Sequence, residues 1–303
     1  MKEKTVISHI KAGFGNQIFQ YATGYAAAKR MRSVFKLDIT FFDTSEEFTF
    51  KLGNLNIDLN IAEKHEIKKL KNEDAAPLIY RILGKLGIHS KFRKKTHIDE
   101  EFGFAPDAKI LNLKHSAYIF GWCTAIDYIH EFKKDFQVLF TPKLAFSKQA
   151  NYFLERINKS NSVSMHVRRG DYVDLESFFR VLPISYFKSA SELILNRHPD
   201  ANFFIFSNDL EWARENLKFL NNVEFVDLNY NNDYTGKADI EEFFLMKHCK
   251  QNIIANSSFS WWPAYLNSNP NKIVITPKVW FNDKIYQKSF EANPLKEENW
   301  ISL

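Results

Sequence analysis

The chain has 303 residues, of which 45% are hydrophobic and 25% are charged, so it is long enough for two lobes or one large α/β unit. Its formal net charge of +5 favours an anionic partner such as a nucleotide, a phospholipid surface or nucleic acid, although a mixed surface also gives such a value. Two distant cysteines, and the lack of an apolar run for a signal peptide or membrane span, predict a cytoplasmic protein without a disulfide framework or zinc site.

The first half opens with a strand, a glycine turn and a helix. Residues 5–10 have the apolar content of a strand, 13–15 form the turn, and 16–31 carry an apolar stripe at helical spacing. Beyond residue 35 the pattern loosens, until 117–122 predict another strand and 126–136 another helix.

The second half alternates short apolar strands with amphipathic helices. Strands are predicted at residues 162–167, 202–206, 223–226, 252–255 and 272–275, and helices at 183–197, 209–220, 240–249 and 259–266. This alternation is typical of a parallel sheet with helices on both faces, whose ligands bind beyond the carboxyl ends of the strands. With a boundary near residue 150, we expect two doubly wound, Rossmann-like lobes, 1–150 and 151–303, that face a central cleft.

A basic segment lies between residues 64 and 95. Its lysines and arginines stand at positions 64, 68, 69, 71, 81, 85, 91, 93, 94 and 95 and face few acidic residues. Two interpretations are open: a solvated helical face, or a peripheral contact with anionic lipid on the inner face of a membrane.

The glycine turn leads directly into the first predicted helix. A dinucleotide-binding fingerprint would need glycine or alanine where this chain has Ile18, so that interpretation fails. What remains is a helix N-terminus that favours an anion or a sugar hydroxyl, with Asn16 and Gln17 as side-chain donors. The alternative is that Gly13 and Gly15 only allow a tight turn and Asn16 caps the helix.

The segment HVRRGDY at 166–172 lies where a strand is predicted to end. Because successive strand side chains point to opposite faces, Arg168 and Arg169 are not expected to serve one ligand unless the chain has turned. One guanidinium is expected to bind a diphosphate through its planar fork, and the other to support the site. His166 is a candidate for a base or ribose contact, and Asp171 is a candidate for holding an arginine. The alternative is an ion pair of Arg169 with Asp171 and no ligand.

Two further polar segments follow predicted strands. Asn208 and Asp209 either cap the next helix or bind, and a carboxylate at Asp209 can accept the N1 and N2 hydrogens of guanine. Ser257 and Ser258 begin a helix, where hydroxyls and amides can cradle a phosphate. The two tryptophans that follow are interpreted as core residues.

Several chemistries are excluded by inspection. The sequence contains no HExxH, no GxSxG and no phosphate loop that ends in Gly-Lys-Ser/Thr. It also lacks the Asp-x-Asp pair with which many sugar-nucleotide enzymes hold a diphosphate through a metal. Arginine would have to replace the metal, so the sequence predicts metal-independent chemistry without a cofactor.

Four segments together resemble glycosyltransferase family 11, the α-1,2-fucosyltransferases, within the superfamily of α-1,2, α-1,6 and protein O-fucosyltransferases. They are GFGNQIFQYA from Gly13, HVRRGD from His166, FSND from Phe206 and NSSFSWW from Asn256. The resemblance implies a GT-B fold, with an acceptor lobe first and a GDP-fucose lobe second. It also implies an inverting single displacement from GDP-fucose to the 2-hydroxyl of a terminal galactose, in an acceptor that can be lipid-linked, such as O-antigen or another surface polysaccharide.

The resemblance also assigns roles to residues. It implies that Arg168 and Asn16 are catalytic, with Arg168 gripping the β-phosphate, and that the donor is bound by His166, Asn208, Asp209, Ser257 and Ser258. It implies that the site is supported by Gly13, Gly15, Gln17, Arg169 and Asp171. Two departures stand out: Lys11-Ala12-Gly13 replaces a paired glycine of the relatives, and Asn208 stands where aspartate is common.

No general base is assigned from the sequence. His9 is interpreted as an ordinary strand residue and Asp38 as a turn or cap residue, and the departing phosphate can itself accept a proton. Three alternatives stay open: a fucosyltransferase of another linkage, a GT-B transferase for another sugar nucleotide, and a non-enzymatic nucleotide- or nucleic-acid-binding protein. No recognisable nucleic-acid module is present, so no nucleic-acid partner is expected.

Overall fold

The computed structural model describes residues 3–71, 96–100, 103–228 and 237–303. Contacts divide the chain into two compact units, Met1–Gly53 with Ile57–Asp135, and Asn54–Asn56 with Phe136–Leu303. Asn54–Asn56 belongs to the second unit because its backbone bonds to that of residues 141 and 143. The assignment of acceptor and donor roles to 1–150 and 151–303 stays a prediction.

The first unit is built on a four-stranded parallel sheet. Its strands are β1 (Thr5–His9), β2 (Val34–Asp38), β3 (His97–Asp99) and β4 (Ala117–Phe120), in the order β2-β1-β4-β3. All three pairings are parallel, so the carboxyl ends of the four strands lie at one edge.

The longest helix described in the first unit is α1, which packs beside β1 and β2. The described helices of this unit are α1 (Phe14–Met31), α2 (Lys64–Lys71), α3 (Ala108–Leu111) and α4 (Lys133–Leu139), which contains the division between the units. The fit of α1 is close, since a Cβ on Gly24 would lie 2.4 Å from the Phe35 ring. The helix ends at Arg32, whose left-handed backbone returns its N–H to the last carbonyls.

The second unit is a six-stranded parallel sheet with helices on both faces. Its strands are β5 (Asn161–Val167), β6 (Ala201–Ser207), β7 (Val223–Phe225), β8 (Gln251–Ile253), β9 (Val274–Thr276) and β10 (Ile301–Ser302), in the order β10-β9-β8-β5-β6-β7. Its helices are α5 (Lys148–Lys159), α6 (Gly170–Asp174), α7 (Ile184–Leu195), α8 (Leu210–Asn216), α9 (Lys237–His248), α10 (Ser258–Leu266) and α11 (Lys284–Ala292).

The core of the second unit follows the two-residue period of its central strands. On β6, Phe203 and Ile205 join the apolar cluster on one face, which includes Phe187 of α7. Phe204 and Phe206 join the cluster on the other face. Both faces of the sheet are therefore buried under helices, which confirms the predicted parallel sheet with helices on either side.

Two predicted helices differ from the observed ones, and the predicted boundary segment contains the start of a helix. The helix expected at 209–220 ends at Asn216, and Leu217 and Leu220 remain buried in the turn that follows, where the Leu220 N–H donates to the Leu217 carbonyl at 3.1 Å. The helix expected at 126–136 consists of two short 3₁₀ turns followed by α4. Within 140–150, Ser147 caps α5 by accepting a bond from the Ala150 N–H at 3.0 Å.

In the part of the chain that the structure describes, no helix combines the length and apolarity that a membrane crossing requires.

Candidate active site

Three of the polar segments meet at the carboxyl edge of the second sheet. The segment from His166 follows β5, the segment from Phe206 follows β6, and the segment from Asn256 follows β8. β6, β5 and β8 are adjacent and parallel, so their ends bring the segments to one place. Ligands of such sheets bind at this edge.

The two arginines are held by different carboxylates. The Arg168 Nη2 lies 2.8 Å from Asp171 Oδ2, and the Arg169 Nε lies 3.6 Å from Asp209 Oδ2. The alternative of an ion pair between Arg169 and Asp171 is therefore wrong, and the arginine that Asp171 holds is Arg168. The chain turns at Arg169, the N-cap of α6, and this turn brings Asp171 of the first helical turn to the Arg168 side chain.

Arg168 keeps part of its hydrogen-bonding capacity unused. Its side chain is 30% exposed, and its guanidinium lies 5.6 Å from the centre of the Tyr172 ring. Its Nε is buried and bonds to no partner among the described residues. Since a buried donor of this kind normally has an acceptor, the geometry suits an anionic oxygen beside Arg168.

Asn208 braces the arginine segment from the neighbouring strand. Its Oδ1 accepts the Arg169 N–H at 2.9 Å, and its Nδ2 donates to Asp171 Oδ1 at 3.0 Å. The approach needs a glycine, because a Cβ on Gly170 would lie 2.6 Å from Asn208 Nδ2. Both ends of the amide are thus engaged inside the protein, and a donor contact by Asn208 stays a prediction.

Asp209 divides its carboxylate between a cap and an ion pair. Its Oδ1 accepts the Trp212 N–H at 3.1 Å, so it caps α8, and its Oδ2 faces Arg169. The Arg169 guanidinium also lies 4.7 Å from the centre of the Trp212 ring. Capping by Asp209 is confirmed, and a guanine contact from its partly exposed carboxylate stays a prediction.

His166 is a neutral imidazole inside the protein. The residue is 3% exposed, and burial, together with the Arg168 charge, lowers the pKa of His166 to about 3. Its ring lies 5.6 Å from that of Phe259. The Nδ1 atom is buried without a partner in the described part of the chain, so His166 can exchange a hydrogen bond with an uncharged group such as a hydroxyl.

The start of α10 completes this edge. Ser257 is the N-cap and accepts the Phe259 N–H at 3.3 Å, while Ser258 is half-buried in the first turn. Tyr172 ties this turn to the arginine segment, because its hydroxyl donates to the Asn256 carbonyl at 3.0 Å. The first turn of this nine-residue helix is therefore tied to the segment that carries Arg168, and a helix N-terminus near a guanidinium favours a phosphate.

Asn256 and Tyr172 were missed by the sequence reading as site residues. Asn256 Nδ2 donates to the carbonyls of Arg180 and Trp280 at 2.9 and 2.7 Å, and its buried Oδ1 has no partner among the described residues. A polar residue that is followed by two serines at a strand end was the available signal. The tryptophans at 261 and 262 are fully buried, which confirms their interpretation as core.

The glycine turn of the first unit has a different character. Gly13 is the N-cap of α1, so Asn16 lies within the first turn, and the alternative that Asn16 caps the helix is wrong. Gln17 is fully buried and donates from Nε2 to the carbonyls of Ala12 and Thr49 at 2.8 and 2.9 Å. Its Oε1 accepts the Lys51 N–H at 2.9 Å. The amide of Gln17 thus fixes the turn, while Asn16 is half-buried.

The described residues contain no group of three or more histidine, cysteine, aspartate or glutamate side chains placed to hold a metal ion. Metal-independent transfer stays a prediction.

Comparison with known proteins decides the family. Glycosyl transferase family 11 matches residues 2–303. The chain belongs to this family. It is 31% identical to an alpha-1,2-colitosyltransferase of Escherichia coli over 98% of each chain, and 30% identical to the O-antigen biosynthesis glycosyltransferase WbnK of Escherichia coli over 98% of this chain and 99% of that protein. It is 27% identical to galactoside alpha-(1,2)-fucosyltransferase 1 of Saimiri sciureus, over 63% of this chain and 52% of that protein.

Two solved structures share the fold. The α-1,6-fucosyltransferase NodZ soaked with GDP-fucose matches with a TM-score of 0.50 and 14% identity, over 89% of this chain and 97% of that one. The Arabidopsis thaliana FUT1 mutant R284K in complex with GDP matches with a TM-score of 0.51 and 11% identity, over 90% and 70%. The fold is of the GT-B type and the family 11 member is a glycosyltransferase, which confirms both predictions.

Proposed function

We propose that this family 11 member is an inverting galactoside α-1,2-L-fucosyltransferase. It moves fucose from GDP-fucose to the 2-hydroxyl of a terminal galactose, in an O-antigen or another surface polysaccharide, without a metal. The observation that carries the proposal is the Arg168 fork, held by Asp171 with its buried Nε unused, beside the N-terminus of α10. Such an arrangement suits a diphosphate that gains negative charge.

The relatives support the linkage and leave two donors to compare. The first relative is named for α-1,2 transfer of colitose, and the primate relative for α-1,2 transfer of fucose. Both sugars are 6-deoxy sugars that differ by one hydroxyl group. Because the colitosyltransferase aligns over nearly the full chain, GDP-colitose is the second candidate donor.

The mechanism follows from where charge develops. The acceptor oxygen attacks the anomeric carbon from the side opposite GDP, and the bond to the β-phosphate oxygen breaks. Negative charge grows on that oxygen, so a fixed guanidinium at Arg168 stabilises the transition state more than the ground state. Ser257 and Ser258 and the α10 amides hold the phosphates, and neutral His166 and Asp209 orient the nucleoside.

Asn16 is the proposed catalytic contribution of the first unit. A carboxamide neither takes up nor releases a proton near neutral pH, so Asn16 acts by holding hydroxyl groups in place. Gly13, Gly15 and Gln17 support it by fixing the turn.

A cytoplasmic location with loose attachment to anionic membrane belongs to the same proposal, because a lipid-linked acceptor is held there. In the described part of the basic segment, Lys64, Lys68 and Lys69 are exposed on α2, and residues 72–95 lie outside the described residues. Salt-sensitive binding to anionic vesicles is expected. Its absence would return the segment to an ordinary solvated face.

One experiment tests the proposal. The protein is incubated, with and without EDTA, with GDP-fucose or GDP-colitose and a panel of β-1,3- and β-1,4-galactosides, and the product linkage is determined by NMR. We expect α-1,2-fucosyl product at an unchanged rate in EDTA. Exclusive use of GDP-colitose would overturn the donor, another linkage would overturn the acceptor position, and full loss in EDTA would overturn metal independence.

A further inference from the structure

A buried His-Asp-Tyr cluster lies in the first unit, and its three residues belong to none of the four motif segments. His9 ends β1 and Asp38 ends β2, in register with each other, and Tyr118 stands on β4, the other neighbour of β1. Asp38 and Tyr118 are fully buried and His9 is 8% exposed. The His9 Nδ1 lies 3.4 Å from Asp38 Oδ2 and 3.0 Å from the Tyr118 hydroxyl, which donates to Asp38 Oδ2 at 2.6 Å.

The hydrogen bonds of the cluster fix the tautomer of His9. The Tyr118 proton is used on Asp38, so the Tyr118 oxygen and the Asp38 carboxylate are both acceptors toward His9 Nδ1. The neutral ring therefore carries its proton on Nδ1 and a lone pair on Nε2. Burial raises the pKa of Asp38, but hydrogen bonds from His9, Tyr118 and Thr40 outweigh it and lower that pKa well below the usual range, so Asp38 is a carboxylate.

The lone pair of His9 stays available. Nε2 makes no hydrogen bond to the described residues, and the aromatic rings of Phe41 and Phe120 lie 6.4 and 5.0 Å from the imidazole, centre to centre. The residue stands at the carboxyl edge of the first sheet, where ligands of parallel sheets bind. An imidazole with one nitrogen bound to a carboxylate and the other free has the arrangement of a general base.

The charged surroundings of the cluster are mixed. Lys71 of α2 lies 3.5 Å from Asp38 Oδ2, and Lys11, two residues after His9, lies 4.4 Å from the centre of the Phe120 ring. The ring of His97, on β3, lies 5.3 Å from the Tyr118 ring, centre to centre. Among these described groups, the Asp38 carboxylate is the anion that bonds to His9 Nδ1 and can balance a positive imidazolium.

We infer that His9 is the general base of the transfer, and that Asp38 and Tyr118 are positioning residues that hold its ring and its tautomer. The inference rests on the proposed function. As the acceptor oxygen bonds to the anomeric carbon, its proton passes to His9 Nε2, and the electron pair of the broken bond leaves with GDP. The imidazolium, paired with Asp38, then releases the proton to solvent. This replaces the interpretation of His9 as an ordinary strand residue.

The test substitutes His9→Asn, because the asparagine amide can keep the Nδ1-side bond to Asp38 and offers no basic nitrogen. We expect kcat for transfer to fall by about 100-fold or more, while the Kd for GDP-fucose from calorimetry changes by less than about twofold. The matched control is His97→Asn in the same sheet, whose Nε2 already pairs with Asp99 at 3.0 Å. It should keep kcat within about threefold. A purely structural His9 would lower the melting temperature and leave kcat of the folded variant near normal, which would overturn the inference.

Two further measurements keep the inference falsifiable. His9→Gln, and the pH profile of the unmodified protein, serve if His9→Asn does not fold. A transfer rate that stays constant while the medium is acidified through the range in which imidazole takes up a proton would overturn the role of His9. An unmodified protein that transfers neither sugar to any galactoside would overturn the proposed function itself, whereas normal transfer by His9→Asn would overturn only this inference.

Discussion

The carboxyl edge of the second sheet and the glycine turn of the first unit both carry family motifs, but they use their polar groups differently. At the second edge, His166 Nδ1, Arg168 Nε and Asn256 Oδ1 are buried and bond to no partner in the described ranges. In the first turn, Gln17 makes three hydrogen bonds with backbone groups. Unused buried groups that lie together at the ends of three adjacent strands suit a ligand, whereas an amide with all its bonds made suits a scaffold.

The largest expected effect on turnover is at Arg168, at the carboxyl edge of the second sheet. Arg168→Ala should lower kcat by two to three powers of ten, about 3 to 4 kcal/mol, because the developing charge loses a preorganised donor. Arg168→Lys should restore little, since an ammonium does not reproduce the fork. Steady-state kinetics with GDP-fucose measures both variants.

Arg169→Ala is the matched control for Arg168. Its guanidinium is engaged by Asp209 and lies over Trp212, so its loss should change turnover by less than about tenfold and act mainly on α8 stability. Equal losses of kcat in both variants would break the division between a binding and a supporting arginine. Near-normal turnover of Arg168→Ala would remove Arg168 from the site.

Substitution of Gln17, which holds the glycine turn of the first unit in place, should lower stability instead of turnover. Gln17→Ala leaves two carbonyls and one N–H without their partner, which should cost about 3 kcal/mol of unfolding free energy. Its neighbour Asn16→Ala should change stability by less than about 0.5 kcal/mol and lower kcat by about tenfold or more. Urea denaturation and kinetics of the two variants test the contrast. A stable, active Gln17→Ala protein would contradict the scaffold role.

The buried His166 at the carboxyl edge of the second sheet should make the stability of the protein depend on pH. The pKa of His166 is about 3 in the folded protein and about 6.5 in an unfolded chain. The unfolded state therefore binds more protons below pH 6.5, and stability falls as the pH falls toward 3. Between pH 6.5 and 5 this amounts to about 2 kcal/mol. Urea denaturation of the unmodified protein and of His166→Gln at both pH values should show a shallower loss in the variant; equal losses would rule out a neutral, buried His166.

The alternation of the second half is predictable from the sequence because its central strands, β5 and β6, are buried on both faces and its helices are amphipathic. In the first half, β2 is partly exposed and contains Lys36, and β3 has only three residues, so neither presents a strand pattern. The strands β2 and β3 are identified only in the structure, through their pairing with β1 and β4.

Side-chain partners were less predictable than elements. The pairing of Arg168 with Asp171 depends on a turn at Arg169 that strand periodicity does not contain. The cluster of His9, Asp38 and Tyr118 joins residues that are 29 and 80 positions apart in two of its contacts, so no local motif marks it. Functional residues that are neighbours in one sequence segment could be predicted from the sequence. Functional residues that the sheet brings together from distant segments could not.

The smallest expected effect concerns Ala12, the residue before the glycine turn. Its φ is 64°, in the left-handed region that costs an alanine about 1 kcal/mol or more and a glycine nothing. Glycine also gives the unfolded chain more freedom, which offsets part of the gain. We expect Ala12→Gly to raise the free energy of unfolding by about 0.5 kcal/mol, with kcat unchanged within about twofold, since the glycine turn keeps its Gln17 bonds. The matched control is Ala26→Gly in the middle of α1, which should lose about 1 kcal/mol in the same urea titration because a helical backbone gains nothing from glycine. Destabilisation by Ala12→Gly as large as by Ala26→Gly would mean that the backbone at Ala12 carries no strain that glycine can relieve.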